Sequence, residues 1–200
     1  MKYLLYTGLL LLSATACHQK DPSSQSTSSP ADTTRKSFFP VAGVIRSEIS
    51  YLDSTPLAIR QYVIEDNRTD SAFINLPTFH KLAGEFIPSE LTSGNFEKDF
   101  IEKSFIDETT RSATFTYSTQ NRDLPLQRVD VLMAPPGADG TNQLKSIYME
   151  MQFSRGDTLV GKKLLWRAKK NFLIITTLQP PGKAPGIQQI RVVWDTDNHE

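Results

Sequence analysis

The chain is poor in the residues that most reactive centres need. Its 200 residues include one cysteine, Cys17, and three histidines, and its 22 Lys and Arg are matched by 22 Asp and Glu. A lone thiol forms no intramolecular disulfide. A zinc centre needs several converging Cys, His or carboxylate ligands, whereas His18, His80 and His199 are scattered. His80 is expected on a helix face at the rim of the core. Zero net charge supplies no overall field to gather a polyanion, so no nucleic-acid partner is expected. No G-x-G-x-x-G or Walker loop occurs, and no serine lies in a G-x-S-x-G setting, so neither nucleotide binding nor a Ser-His-Asp hydrolase has support. No cofactor is expected.

What is present begins at the N-terminus. Met1 and Lys2 are followed by the apolar run "YLLYTGLLLLS" and by the small residues Ala14, Thr15 and Ala16, directly before Cys17. This is the charged start, short apolar core and small-residue cleavage site of a secretory signal, covering residues 1–16. The run is shorter than the roughly 20 apolar residues of a spanning helix. A cysteine at its end resembles the lipobox of bacterial lipoproteins, with Ala14 where those sequences often carry Leu. The resemblance implies cleavage before Cys17 and lipid attachment to Cys17. Each buried acyl methylene adds about 0.8 kcal/mol, and two or three chains anchor stably without a spanning segment.

Gln19, Lys20 and Asp21 resemble the short charged export signal that follows the cysteine in surface-displayed lipoproteins of Bacteroidota, and Pro22 interrupts the acidic continuation. The expected location is therefore the bacterial cell envelope, at the outer membrane, with the periplasmic and cell-surface faces both open. Residues 22–37, "PSSQSTSSPADTTRKS", contain no aromatic and no large aliphatic side chain, too little apolar area to offset ordering entropy. With Cys17 they form a lipidated N-terminus and tether, residues 17–37, ahead of one domain over 38–200.

From Phe38 the composition turns apolar. Phe39, Val41, Val44, Ile45, Ile49 and Leu52 recur at three- and four-residue steps behind Pro40, which predicts a helix over about 40–51. "PLAIRQYVIED" reads as a strand ending in a turn-prone run from Glu65 to Asp70. Leu76, Phe79, Leu82, Ala83 and Phe86 predict a second helix stopped by Pro88, and "EKDFIEKSF" a third, short and irregular. Beyond about residue 109 the period becomes two. "RSATFTYS", "LQRVDVLM", "LKSIYMEMQF", "TLVGKKLLWR", "NFLIITTL" and "IQQIRVVW" follow one another as a six-strand meander. The fold class is therefore α+β: a predominantly antiparallel sheet of about six to seven strands, with two or three N-terminal helices packed on one face.

Few residues on this frame invite chemistry. Glu150 interrupts the apolar strand "YMEMQF" on the face of Tyr148 and Gln152, where Lys162 or Lys163 of the next strand is the expected partner and Asp130 the nearest second carboxylate. "WRAKKNF" interleaves aromatic and basic residues as a nucleic-acid or glycan platform does, and equally forms a hairpin with Trp166 and Phe172 packed and Lys169, Lys170 and Asn171 in the turn. Arg155, Gly156 and Asp157 make an RGD tripeptide at a hairpin tip, which resembles an integrin-recognition motif and is also good turn chemistry. They are kept as a surface-contact turn.

The expectation is a non-catalytic binding or protein-interaction module held on a membrane by its N-terminal lipid, with another envelope protein as partner. A rival is a carrier of a lipid or other apolar ligand, its cavity lined by Met149, Met151, Phe153, Leu165, Phe172 and Ile174. A hydrolase of unknown substrate is the third reading.

Overall fold

Alternation of apolar and polar residues commits a segment to a pleated strand with one face inward. The computed structural model, which describes residues 37–66, 68–135 and 143–194, contains all six expected strands. They are β4 (Ser112–Ser118), β5 (Leu126–Ala134), β6 (Gln143–Arg155), β7 (Thr158–Arg167), β8 (Asn171–Gln179) and β9 (Gly186–Val193). "RQYVIE" is the seventh, β1 (Arg60–Glu65). Two further strands correct the expected count: β2 (Arg68–Phe73) and β3 (Ile101–Asp107). The nine form one antiparallel sheet in the order β2-β1-β9-β8-β7-β6-β5-β4-β3.

Both missed strands are edges, and each lacked the alternating signal for a physical reason. "RTDSAF" is exposed at every position, so β2 needs no apolar face and is held by its ladder to β1. The turn before it is short, with Asp66 in the left-handed region (φ 47°). In "FEKDFIEKSF", Phe96 and Phe100 stand at helical spacing. The segment makes only one helical turn, α3 (Phe96–Asp99), before ladder pairing with β4 draws the chain out from Ile101.

The first two helices form where expected. α1 (Val41–Ser54) buries Val41, Ala42, Ile45 and Leu52, and it runs three residues further than predicted because Leu52 completes the buried stripe. Thr55 is extended and Pro56 follows, which ends the helix. In α2 (Leu76–Ala83) the Asn75 side chain caps by accepting the Thr78 N–H at 3.0 Å. The predicted helix continues through Phe86 only as a 3₁₀ turn, Gly84–Phe86.

The sheet begins and ends with distant parts of the chain. β1 pairs with the last strand, so residues 74–100 travel from the β2 edge to the β3 edge. That connection carries α2, and it buries Phe79, Ala83, Phe86 and Phe100 in the same cluster as α1 and the sheet. Trp166 and Phe172, directly paired across β7 and β8, stack with ring centroids 5.3 Å apart. Phe86 meets Trp166 edge-on at 5.2 Å, and Phe79 meets Trp194 edge-on at 5.7 Å. Edge-to-face pairs of this kind add about 0.5–1.5 kcal/mol beyond area burial. A second aromatic group of Phe38, Phe96, Phe100 and Tyr117 packs near α3. The described residues from Ser37 onwards thus form one compact unit.

Glu48 ties the two layers together. Its Oε2 accepts the Trp166 indole N–H at 2.7 Å and the Lys169 backbone N–H at 3.0 Å. Lys169 sits at φ 61°, so this contact holds the β7–β8 turn in a left-handed geometry. Glu48→Ala leaves the buried indole donor without its acceptor and should cost about 2–3 kcal/mol, whereas Glu48→Gln, which keeps one acceptor oxygen, should cost about 1 kcal/mol. Urea unfolding monitored by tryptophan fluorescence measures both values.

Candidate functional site

With helices on one face, the other face of the sheet carries the alternate residues of every strand, and none of the described helices packs on it. Its geometry follows from the register. One cross-strand row runs Lys103, Thr116, Asp130, Tyr148, Leu165, Leu173, Arg191 and Tyr62. The next runs Ser118, Arg128, Glu150, Lys163, Ile175, Gln189 and Ile64.

Polar groups concentrate on β5 and β6. Arg128 grips Asp130 with both arms, Nε to Oδ1 at 3.0 Å and Nη2 to Oδ2 at 2.9 Å. The Thr116 hydroxyl donates to the same Asp130 Oδ1 at 2.7 Å. The Tyr148 hydroxyl donates to Glu150 Oε1 at 2.6 Å. Partial burial, the hydrogen bond to Glu150 and the Glu150 charge together push the Tyr148 phenol well above its usual range, so it stays a donor at neutral pH. Arg128 is raised above the ordinary guanidinium value, first by its hydrogen bond to Asp130. Both carboxylates therefore stand in satisfied hydrogen bonds, an arrangement suited to a fixed pattern of donors and acceptors. Alternation alone could not reveal the pairing of Thr116 with Asp130, because it depends on which strands are neighbours.

Beside this network the sheet carries an open groove of about 410 Å³. Gln127, Glu150, Gln152, Lys163, Thr177 and Gln179 are among the residues around it, and Gly161 lies between Gln152 and Thr177 in the ladder. Gly161 has no side chain to fill the space; a Cβ there would meet only the Thr177 Cβ, at 4.0 Å. The groove offers carboxylate, amide, hydroxyl and ammonium groups, with Leu159 as apolar lining.

No family model, curated protein or solved structure matches the chain.

The remaining expected positions are distributed around this frame. Cys17, Gln19, Lys20 and Asp21 lie outside the described residues, as do His18, His199 and residues 136–142. Glu150 faces Lys163 in the ladder, yet its carboxylate hydrogen bond is to Tyr148; Lys162 lies on the helix side, paired with Glu85. His80 is exposed, with Nε2 2.6 Å from Asp53 Oδ1 on α1. Among the described residues no three His, Cys, Asp or Glu side chains converge as a metal site.

"WRAKKNF" is the β7–β8 hairpin, with Arg167 opposite Asn171. Arg155, Gly156 and Asp157 are exposed at the β6–β7 tip, where Arg155 pairs with Thr158 and Gly156 takes φ 59°. Glycine takes that conformation without steric cost, irrespective of any partner. The six apolar residues considered for a cavity do not share one face: Met149, Phe172 and Ile174 are buried under the helices, whereas Leu165 lies on the open side.

The raised phenol gives a direct test. In a spectrophotometric titration, Tyr148 should ionise well above the ordinary value of 10.0, and Tyr117, buried and accepting the Phe39 N–H, at about 12. Both groups favour the folded state fully below the unfolded value, and that contribution is lost as pH rises through the folded one. Tyr148→Phe should remove one late-ionising phenol and leave the other.

Proposed function

We propose that this chain is a lipid-anchored protein of the bacterial cell envelope whose open sheet face binds another envelope protein without catalysis. The observation that carries the reading is the position of the only cysteine, Cys17, directly behind a short apolar leader and ahead of a polar tether. Acylation there places the domain beside a membrane, at the end of a segment too polar to fold on its own. The open face supports the second half of the reading. It presents Arg128, Asp130, Tyr148 and Glu150 in a fixed hydrogen-bonded array next to a groove, and such an array specifies a partner by matching donors and acceptors.

Two measurements test the two halves. Wild-type protein expressed in a bacterial host should take up radioactive palmitate and sediment with membranes, while Cys17→Ala should carry no label and appear in the soluble fraction. Equal release of the two proteins, with no label on either, would refute anchoring. For the binding face, a photo-reactive amino acid at Thr177 should give a discrete adduct in intact cells, and one at Lys81, exposed on α2, should not. Equal adducts at both positions, or none at Thr177, would refute the assignment of the face.

A further inference from the structure

The two edges of the sheet differ in kind. β2 exposes polar and charged residues, and its one large apolar side chain, Phe73, is 67% exposed with the Arg60 guanidinium over one face of its ring, 4.6 Å from the centroid. β3 is apolar at its edge: Ile101, Phe105 and Ile106 are 56%, 67% and 68% exposed. Phe105 lies opposite Thr114 on β4, too small to cover it. A sheet edge lined with exposed apolar side chains is a template for pairing with another strand.

We propose that β3 pairs antiparallel with β3 of a second copy of this chain, about a two-fold axis at Phe105, joining the two sheets edge to edge. The register follows from the residues. An axis at Phe105 sets Phe105 against Phe105, Lys103 against Asp107 twice and Ser104 against Ile106 twice, with Glu102 falling opposite Glu108 in the turn beyond the end of β3. An axis at Ser104 instead sets Phe105 against Lys103 and Ile106 against Glu102, each apolar residue against a charge. An axis at Lys103 sets Ile101 against Phe105 twice but brings two ammonium groups together at the axis. Of these three, only the first matches aromatic with aromatic and opposite charges with each other, the pairings that stabilise neighbouring strands.

Asp107 is prepared for this role. Its carboxylate accepts the Thr109 N–H at 2.9 Å and the Thr110 hydroxyl at 2.8 Å, which fixes it at the strand end. The Thr110 hydroxyl and the backbone N–H groups of Thr110 and Thr109 hold the carboxyl below its usual value, so it is anionic at neutral pH. The pairing is short, which makes the dimer a weak one in solution. It uses only the edge strand, where Lys103, Phe105 and Asp107 lie at the rim of the open face, and it does not depend on the lipid anchor.

The test is disulfide trapping in the full chain carrying Cys17→Ala, in mild detergent, which has no other cysteine. Paired residues at the axis lie within the roughly 4.4–6.8 Å Cα separation of a disulfide. Residues two positions from the axis are about 14 Å from their own copies, given a rise of about 3.3 Å per residue. Phe105→Cys should therefore pass largely into a disulfide-linked dimer on mild oxidation, and Lys103→Cys should stay monomeric. Both positions are exposed, so both variants should keep the wild-type thermal midpoint. Equal cross-linking of the two variants, or none of Phe105→Cys, would overturn the proposal.

Discussion

The hydrogen bond from the Trp166 indole to Glu48 is the contact on which the arrangement of layers turns. Trp166 is fully buried between Phe86, Phe172 and Trp194, and a buried indole N–H needs an acceptor. Supplying it from α1 fixes that helix over the sheet, and the same oxygen holds the β7–β8 turn. Once α1 and the 74–100 connection occupy one face, strand alternation assigns every other residue to the opposite one. The Arg128, Asp130, Tyr148 and Glu150 array and the groove beside it are consequences of that division.

Much of this was legible from residues alone. The period of two from Ser112 onwards marked β4 to β9 because each strand is half-buried, the condition under which alternation is strongest. Helices α1 and α2 showed their buried stripes for the same reason. β2 was hidden because it buries nothing, and β3 because Phe96 and Phe100 imitate a helix just before it. The candidate site was harder to see. Glu150 stood out as a charge among apolar residues, but its bond to Tyr148, two residues away on the same strand, competes with the cross-strand lysine that pattern alone suggests. Thr116, Asp130 and Arg128 come together only through the β4–β5 register.

The functional reading joins two kinds of observation. In the proposed reading the N-terminal segment would supply an address and a tether, and the folded unit a sheet with one closed and one open face. The aromatic packing of the closed face would hold the polar array in place, which lowers the ordering cost of binding a partner. The edge strand β3 brings exposed apolar side chains, Phe105 among them, to the rim of the same sheet.

The most direct test of the central claim is mass analysis of the N-terminal peptide of the protein isolated from native membranes. The peptide of a lipid-anchored protein begins at Cys17 and carries the added mass of two or three acyl chains. A peptide that begins elsewhere, or an unmodified Cys17, would contradict the central claim.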